Sequence, residues 1–466
     1  MSRGSMTRRD LLRGAGIATA ATVFAACKPQ VVEKVVKETV VPVKETVVKE
    51  VTRAPAPAAK KPAEVVMMYN KNELSDDEVK LFNDKYAPYT LKRIDTDLTK
   101  LFAMLAAGDA VDVIRLFGTF VPTYVMRRVA KDLTDYFDVS TLVKPADLLP
   151  VNDLFLVKGR RYGMVKDWSP DVSIWINKKI WGEMGVSLPD PKKPLPLQDW
   201  RALSPKLTKK EGDRTLIMGT DFTPSGHHLF WMTTTFEPPA TLFNADFTKV
   251  SLRDNPKTME AIKFWFDWQK EKGLPTNALN PVVSESWSGQ DWVQGQAASV
   301  MWGYWFGGMA ESDKVSGDDI MMLPAAQWGP NYTNPCCAGC GAIVSSTTRV
   351  PDAAWKVFEW FMGEEPCDTR AKSGWGVPGL KSKLPLMPQD KPWRKAAYDL
   401  VNQEIQNSKV SIIKWAPYIV PDTFTAAWTK YEDPALKGQI TLDEMVKKIE
   451  EEVNVALAEG VARAGA

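Results

Sequence analysis

Histidine is almost absent from this chain of 466 residues: there are two, adjacent at His227 and His228. That scarcity argues against most histidine-based acid–base catalysis and most zinc sites. Cysteine is also sparse, with five in all. Formal charge is balanced, at +2 near pH 7, and the body carries no basic run. Nucleic acid is therefore not the expected partner. After Ala26 no stretch is apolar over the roughly 20 residues that a bilayer crossing requires. No nucleophile elbow, metal motif or phosphate loop is present either. What the chain does hold is tryptophan, 18 of them. Tryptophan suits places where a large flat face buries or binds something.

The N-terminus reads as an export signal. Arg8-Arg9 precede Leu11-Leu12, and a small apolar stretch runs from Gly14 to Ala26. A positive start, a short apolar core and small residues before a cut site make a signal peptide over residues 1–27. The arginine pair resembles a twin-arginine signal. Phe24-Ala25-Ala26-Cys27 resembles a lipobox, which makes Cys27 the candidate lipidation site, although Phe24 stands where leucine is usual. Residues 28–62 read as a disordered tether. Lys37-Glu38-Thr39-Val40-Val41 returns as Lys44-Glu45-Thr46-Val47-Val48, and prolines 55, 57 and 62 follow among alanines. With no aromatic residue this segment cannot build a core. Fully extended it would reach on the order of 100 Å.

The remaining body of about 400 residues is long enough for two lobes. Glu64–Asn70, Leu91–Ile94 and Val111–Phe117 read as strands. Between them Ser75-Asp76-Asp77-Glu78 opens a helix with a capping box, and a second helix around Leu98–Leu105 stops at Gly108. Alternation at this spacing predicts α/β with a largely parallel sheet. Further on, Val172–Asn177 reads as a strand and Lys178–Met184 as a helix. Pro256 and Pro351 each open a helix, Trp292–Ala298 reads as a short helix, and Ser299–Trp302 as a strand. The last helix starts at the capping box Thr441-Leu442-Asp443-Glu444.

Five stretches taken in order resemble the family 1 extracellular solute-binding proteins, the group that includes maltose- and oligosaccharide-binding proteins. They are the first strand ending in Asn70, Ala106-Ala107-Gly108-Asp109-Ala110-Val111-Asp112-Val113, Tyr162 to Trp168 with Trp175-Ile176-Asn177-Lys178, Gly295 to Ala298 with Gly303-Tyr304-Trp305, and Ala353 to Phe358 with Gly374-Trp375-Gly376-Val377-Pro378. The resemblance implies a two-lobed periplasmic-binding-protein-like fold with a ligand cleft and hinge crossings. By that analogy one lobe takes residues 63–172 plus 328–375 and the other 173–327 plus 376–466. It implies a monomeric binding lipoprotein that is not an enzyme. It would be held by its lipid outside the cytoplasmic membrane, and would deliver a carbohydrate to ABC transporter permease subunits without any cofactor.

A sugar offers apolar C–H faces that stack on rings, and hydroxyls that need planar donors and acceptors. Trp305 sits where the family often stacks an aromatic on the sugar, beside Tyr304; the alternative is a core place next to Trp302 and Phe306. Trp168, flanked by Asp167 and Ser169, reads as a platform with some exposure. Asn70, Asn72, Phe117 and Thr119 follow strands at the carboxyl edge where open α/β sheets bind ligands. Trp375, between two glycines, is a further candidate, and Asp221, Trp231 and Trp287 complete the set. Trp265, Trp268, Trp355 and Trp360 lie at core spacing on helices.

Cys336, Cys337, Cys340 and Cys367 are disulfide candidates in an exported protein, with three possible pairings. A cluster on the same cysteines is the sharper alternative, but the spacing fits no standard motif, and no metal is expected. Other functions stay open: the same fold with a peptide, a polyamine or another polar solute, a ligand-presenting sensor, or a secreted carbohydrate-active hydrolase with two carboxylates across its cleft.

Overall fold

In the computed structural model, residues 61–220, 226–236, 242–271 and 288–465 are described. The segments expected to be a signal peptide with Cys27 and a tether, up to residue 60, lie outside them, as do Asp221 and Trp287. From Pro62 onward the chain forms one unit. Its principal strands are β1 (Ala63–Met68), β2 (Tyr89–Ile94), β3 (Val113–Phe117), β4 (Gly163–Trp168), β5 (Ser173–Asn177), β6 (Ser299–Met301), β7 (Ile320–Ala325), β8 (Asn334–Cys336), β9 (Cys340–Val344), β10 (Val377–Pro378) and β11 (Val410–Ile412). The helices used below are α1 (Asp76–Lys85), α2 (Leu98–Ala107), α3 (Pro256–Lys270), α4 (Pro351–Gly363), α5 (Glu365–Ser373), α6 (Pro392–Gln406), α7 (Pro421–Leu436) and α8 (Leu442–Gly465).

Local chemistry sets the helix ends. The Ser75 hydroxyl accepts the Glu78 amide at 3.2 Å, and the Glu78 carboxylate takes the Ser75 amide at 2.7 Å, so the capping box of α1 is complete. Thr441 and Glu444 repeat it at α8. Gly108 ends α2 at φ 81°, a left-handed value that glycine adopts without steric cost. Asn255 caps α3 through the Lys257 amide, with Pro256 in the first turn. The helix expected at Trp292–Ala298 instead covers Ser288–Val293; Gly295 at φ 70° turns the chain out of it before β6.

Two sheets organise the body. The larger has the order β10-β4-β9-β3-β1-β2. β1 pairs parallel with β2 and β3, but β9 enters antiparallel between β3 and β4, and β10 is antiparallel to β4. The sheet is therefore mixed, where alternation alone predicted a largely parallel one. β9 and β10 come from late in the sequence, and a returning strand carries no alternation signal of its own. The second sheet, β6-β5-β7, is antiparallel throughout. One core packs the first sheet against α4, with Phe82, Phe358, Trp360 and Phe361 fully buried. Another packs Trp181, Trp200 and Trp268 beside the second sheet with α7 and α8. A third runs through both sheets and holds Trp168, Trp175 and Trp292.

Candidate ligand-binding site

β1, β3 and β4 all run in one direction, so their carboxyl ends meet along one edge. Beyond β1 the chain turns: the Asn70 carbonyl accepts the amides of Glu73 and Leu74, each at 3.0 Å, and the Asn70 side-chain amide donates to Glu73 Oε2 at 3.0 Å. The turn aims Glu73 at β3. There Arg115 grips it with a two-bond fork, Nε to Oε2 at 2.5 Å and Nη2 to Oε1 at 2.9 Å. Arg370 on α5 stands 3.9 Å from the same carboxylate and donates from Nε to Asp167 Oδ2 at 2.9 Å. Lys166 donates to the Glu73 carbonyl at 3.0 Å and lies 3.6 Å above the Phe361 ring. Burial favours protonation of Glu73, but Arg115, with Arg370 and Lys166, holds its carboxyl below the ordinary range. Burial pushes the Lys166 ammonium down to about 8, assisted by Arg370 and opposed by Asp167.

Beside this network is an aromatic group. Trp305 lies in a short turn of 3₁₀ helix, Tyr304–Gly308, and its amide donates to Ser169 Oγ at 2.9 Å. The preceding Gly303 makes that approach possible, since a Cβ there would stand 2.5 Å from both Asp171 Oδ1 and Ser169 Cβ. Trp375 lies parallel to Trp305, with centroids 6.0 Å apart and planes 11° from coincidence. Trp302 meets Trp305 edge to face at 5.4 Å. All three rings are half-buried. The Arg370 guanidinium lies 5.6 Å from the Trp375 ring and Arg115 lies 4.7 Å from the Phe117 ring, so each arginine joins a carboxylate to an aromatic face.

The segment that links β4 of the first sheet to β5 of the second is clipped to β8 next to this group. The Asp171 amide donates to the Pro335 carbonyl at 2.8 Å, and its carboxylate accepts the Cys337 amide at 2.7 Å. Asn334 accepts the Val172 amide at 3.1 Å and donates to Glu404 at 2.8 Å. Burial pushes the Asp171 carboxyl up to about 7, with only the Cys337 amide acting against it.

Several residues singled out from the sequence stand here: Trp305, Trp375, Asp167, Asn70 and Phe117. Asn72 is exposed on the turn next to Asn70. Thr119 is buried, with no hydrogen-bond partner for its hydroxyl among the described residues. Trp168 departs from expectation: it is 4% exposed and its indole N–H donates to the Pro378 carbonyl at 3.2 Å. Its polar neighbours are turned aside, Asp167 to Arg370 and Ser169 to Trp305, so they do not draw the ring into solvent. Trp231 is also a core residue, 1% exposed and bonded to the Thr333 carbonyl. Tyr304 is buried while its neighbour Trp305 is not. Cys336, Cys337, Cys340 and Cys367 are all buried free thiols, so none of the possible disulfides is formed. Among the described residues no three His, Cys, Asp or Glu side chains are grouped to hold a metal. Sequence reasoning missed Glu73, Arg115, Lys166, Arg370 and Asp171. A signal existed for one of them: Arg115 interrupts the otherwise apolar strand β3, and a charge in such a place demands a partner.

The model of the family described as bacterial extracellular solute-binding protein matches residues 89–366. A search of curated proteins gives no match. Among solved structures, the fold is similar to an ABC substrate-binding protein from Listeria monocytogenes in complex with cycloalternan, at 19% identity and TM-score 0.69, covering 85% of this chain and 99% of that one. It is similar to a solute-binding protein of an ABC transporter from Thermotoga lettingae bound with alpha-D-tagatose, at 18% identity and TM-score 0.67, covering 86% and 100%. It also resembles a maltose-bound protein from T. maritima, at 16% identity and TM-score 0.65, covering 84% and 99%. With more than half of its length matched by the family model, and with the two-lobed architecture of these structures, the chain belongs to the bacterial extracellular solute-binding proteins.

Proposed function

We propose that this protein captures a carbohydrate outside the cytoplasmic membrane and delivers it to an ABC importer. The observation that carries this reading is the parallel Trp305–Trp375 pair beside a rim of amide, carboxylate and guanidinium groups. Flat rings suit the C–H faces of a sugar, and planar polar groups suit its hydroxyls. The ligands named for the three similar structures are cycloalternan, tagatose and maltose, all carbohydrates. A polyamine fits less well, because Arg115, Arg370 and Lys166 face it with like charge. Catalysis is not part of the reading, since Glu73 and Asp167 are both engaged by arginines and neither is presented as a proton donor. Lipidation at Cys27 and the tether would hold the monomeric body near its permease.

The test is a panel of mono- and oligosaccharides, peptides and polyamines, followed by thermal shift and tryptophan fluorescence. A ligand that binds only the folded state raises the melting point by mass action. The expected result is a shift with one class of sugar, a fluorescence change, and no release of reducing ends. A response confined to peptides or polyamines overturns the carbohydrate assignment.

A further inference from the structure

We propose that the captured carbohydrate carries a carboxylate, as in a uronic-acid oligosaccharide, and that Arg115 and Arg370 receive it. This rests on the carbohydrate reading above. The inference starts from the balance of charge at the carboxyl edge of the larger sheet. Three cations, Arg115, Arg370 and Lys166, surround two anions, Glu73 and Asp167. Each arginine is matched to one carboxylate, which leaves Lys166 over. Its ammonium donates to a main-chain carbonyl and lies over the Phe361 and Tyr69 rings, and among the described residues no carboxylate forms an ion pair with it. Glu78, whose field also reaches Lys166, is taken up by the amide and hydroxyl of Ser75 at the start of α1. A net positive charge is therefore held in a poorly solvated place, where an added anion is stabilised far more than in water.

The donors for such an anion are present. Arg115 spends Nε and Nη2 on Glu73, and Arg370 spends Nε and Nη2 on Asp167. Among the described residues neither Nη1 has an acceptor, and neither is among the buried atoms left without a partner. The two side chains keep 13% and 16% of their surface exposed. Two guanidinium groups, fixed from behind by carboxylates and each next to an aromatic ring, offer planar N–H pairs to a planar acceptor. A carboxylate on a stacked sugar ring meets both demands. A neutral sugar uses the rings and leaves the excess charge unanswered.

The experiment is calorimetric titration of the full-length protein with matched pairs: oligogalacturonate against galacto-oligosaccharide, oligomannuronate against manno-oligosaccharide, and oligoglucuronate against cello-oligosaccharide. In one pair the acidic member should bind at least about tenfold more tightly, the usual scale of one charge-assisted contact. Raising the salt should weaken only that member. Near pH 8 its binding should take up protons, as the bound anion restores the Lys166 ammonium, and Lys166→Met should abolish the uptake. Arg370→Met should remove the preference for the acidic member. Where that variant fails to fold, Arg370→Lys keeps the charge but loses the fork, and should cut the preference severalfold. Equal or tighter binding of the neutral member in every pair overturns the inference and leaves the carbohydrate reading standing. If no pair binds and a peptide or other solute does, both fall.

Discussion

Trp305 and Trp375 lie face to face at 6.0 Å, although 70 positions apart in sequence, because each is delivered by glycines. Gly303 lets the Trp305 turn press against Ser169 and Asp171, and Gly308 leaves room for the Trp375 ring, where a Cβ would stand 2.6 Å away. Trp305→Ala or Trp375→Ala should therefore weaken sugar binding at least tenfold, about 1.4 kcal/mol, with little change in melting point, since both rings are already half open. Titration by fluorescence would show it. Unchanged affinity in both variants would remove the pair from the binding surface.

Trp168 should behave in the opposite way. Its ring is buried and its N–H is spent on Pro378. Trp168→Phe should cost about 1–2 kcal/mol of stability by stranding that carbonyl, and leave affinity within about twofold. Chemical denaturation and the same titration separate the two effects. A large loss of affinity at full stability would restore the exposed platform expected from the sequence.

The contrast between these two tryptophans shows where sequence is informative. Capping boxes at Ser75 and Thr441, the glycine stop at Gly108 and the apolar strands β1 and β3 were all legible, since each depends on neighbours a few residues away. Whether a tryptophan is a wall or a platform depends on partners far along the chain. Trp168 is buried by β10, and Glu73 meets an arginine 42 residues on and lies near another on α5. The antiparallel insertion of β9 was invisible for the same reason. Arg115 was the readable exception, because a charge inside an apolar strand advertises a buried partner.

Glu73 ties this network together, so its removal should be costly. Glu73→Gln keeps the shape but leaves the half-buried Arg115 without its counter-charge, a loss of about 2–3 kcal/mol. Adding Arg115→Met should recover part of that loss, because the stranded charge is gone. Urea denaturation of the two single variants and the double variant gives the coupling directly. Strict additivity would mean that the fork contributes nothing.

The four body cysteines should be inert. All are buried, and burial pushes Cys340 and Cys367 each up to about 12, far from the thiolate form. Reducing agent should leave the melting point unchanged, whereas loss of a native disulfide would cost about 2–5 kcal/mol. A thiol reagent should find all four only after denaturation. A drop in melting point on reduction would bring back a disulfide.

Asp171 should make stability depend on pH in a direction unusual for a carboxylate. Burial raises its folded-state value to about 7, well above the ordinary carboxyl range near 4. Between those values the folded chain holds a proton that the unfolded chain has lost, so this group's contribution is complete below pH 4 and disappears as the pH rises toward 7. Asp171→Asn keeps an oxygen for the Cys337 amide but cannot ionise. Relative to the parent it should gain stability steadily from pH 4 to pH 7, by at most about 4 kcal/mol. Glu432, which burial raises to about 7, and Glu404 and Asp422, which burial also raises, act in the same direction in both proteins, so the difference between parent and Asp171→Asn isolates Asp171. Parallel melting curves of parent and Asp171→Asn across this range would show that the carboxyl between the two sheets is solvated and ionises as it would in water.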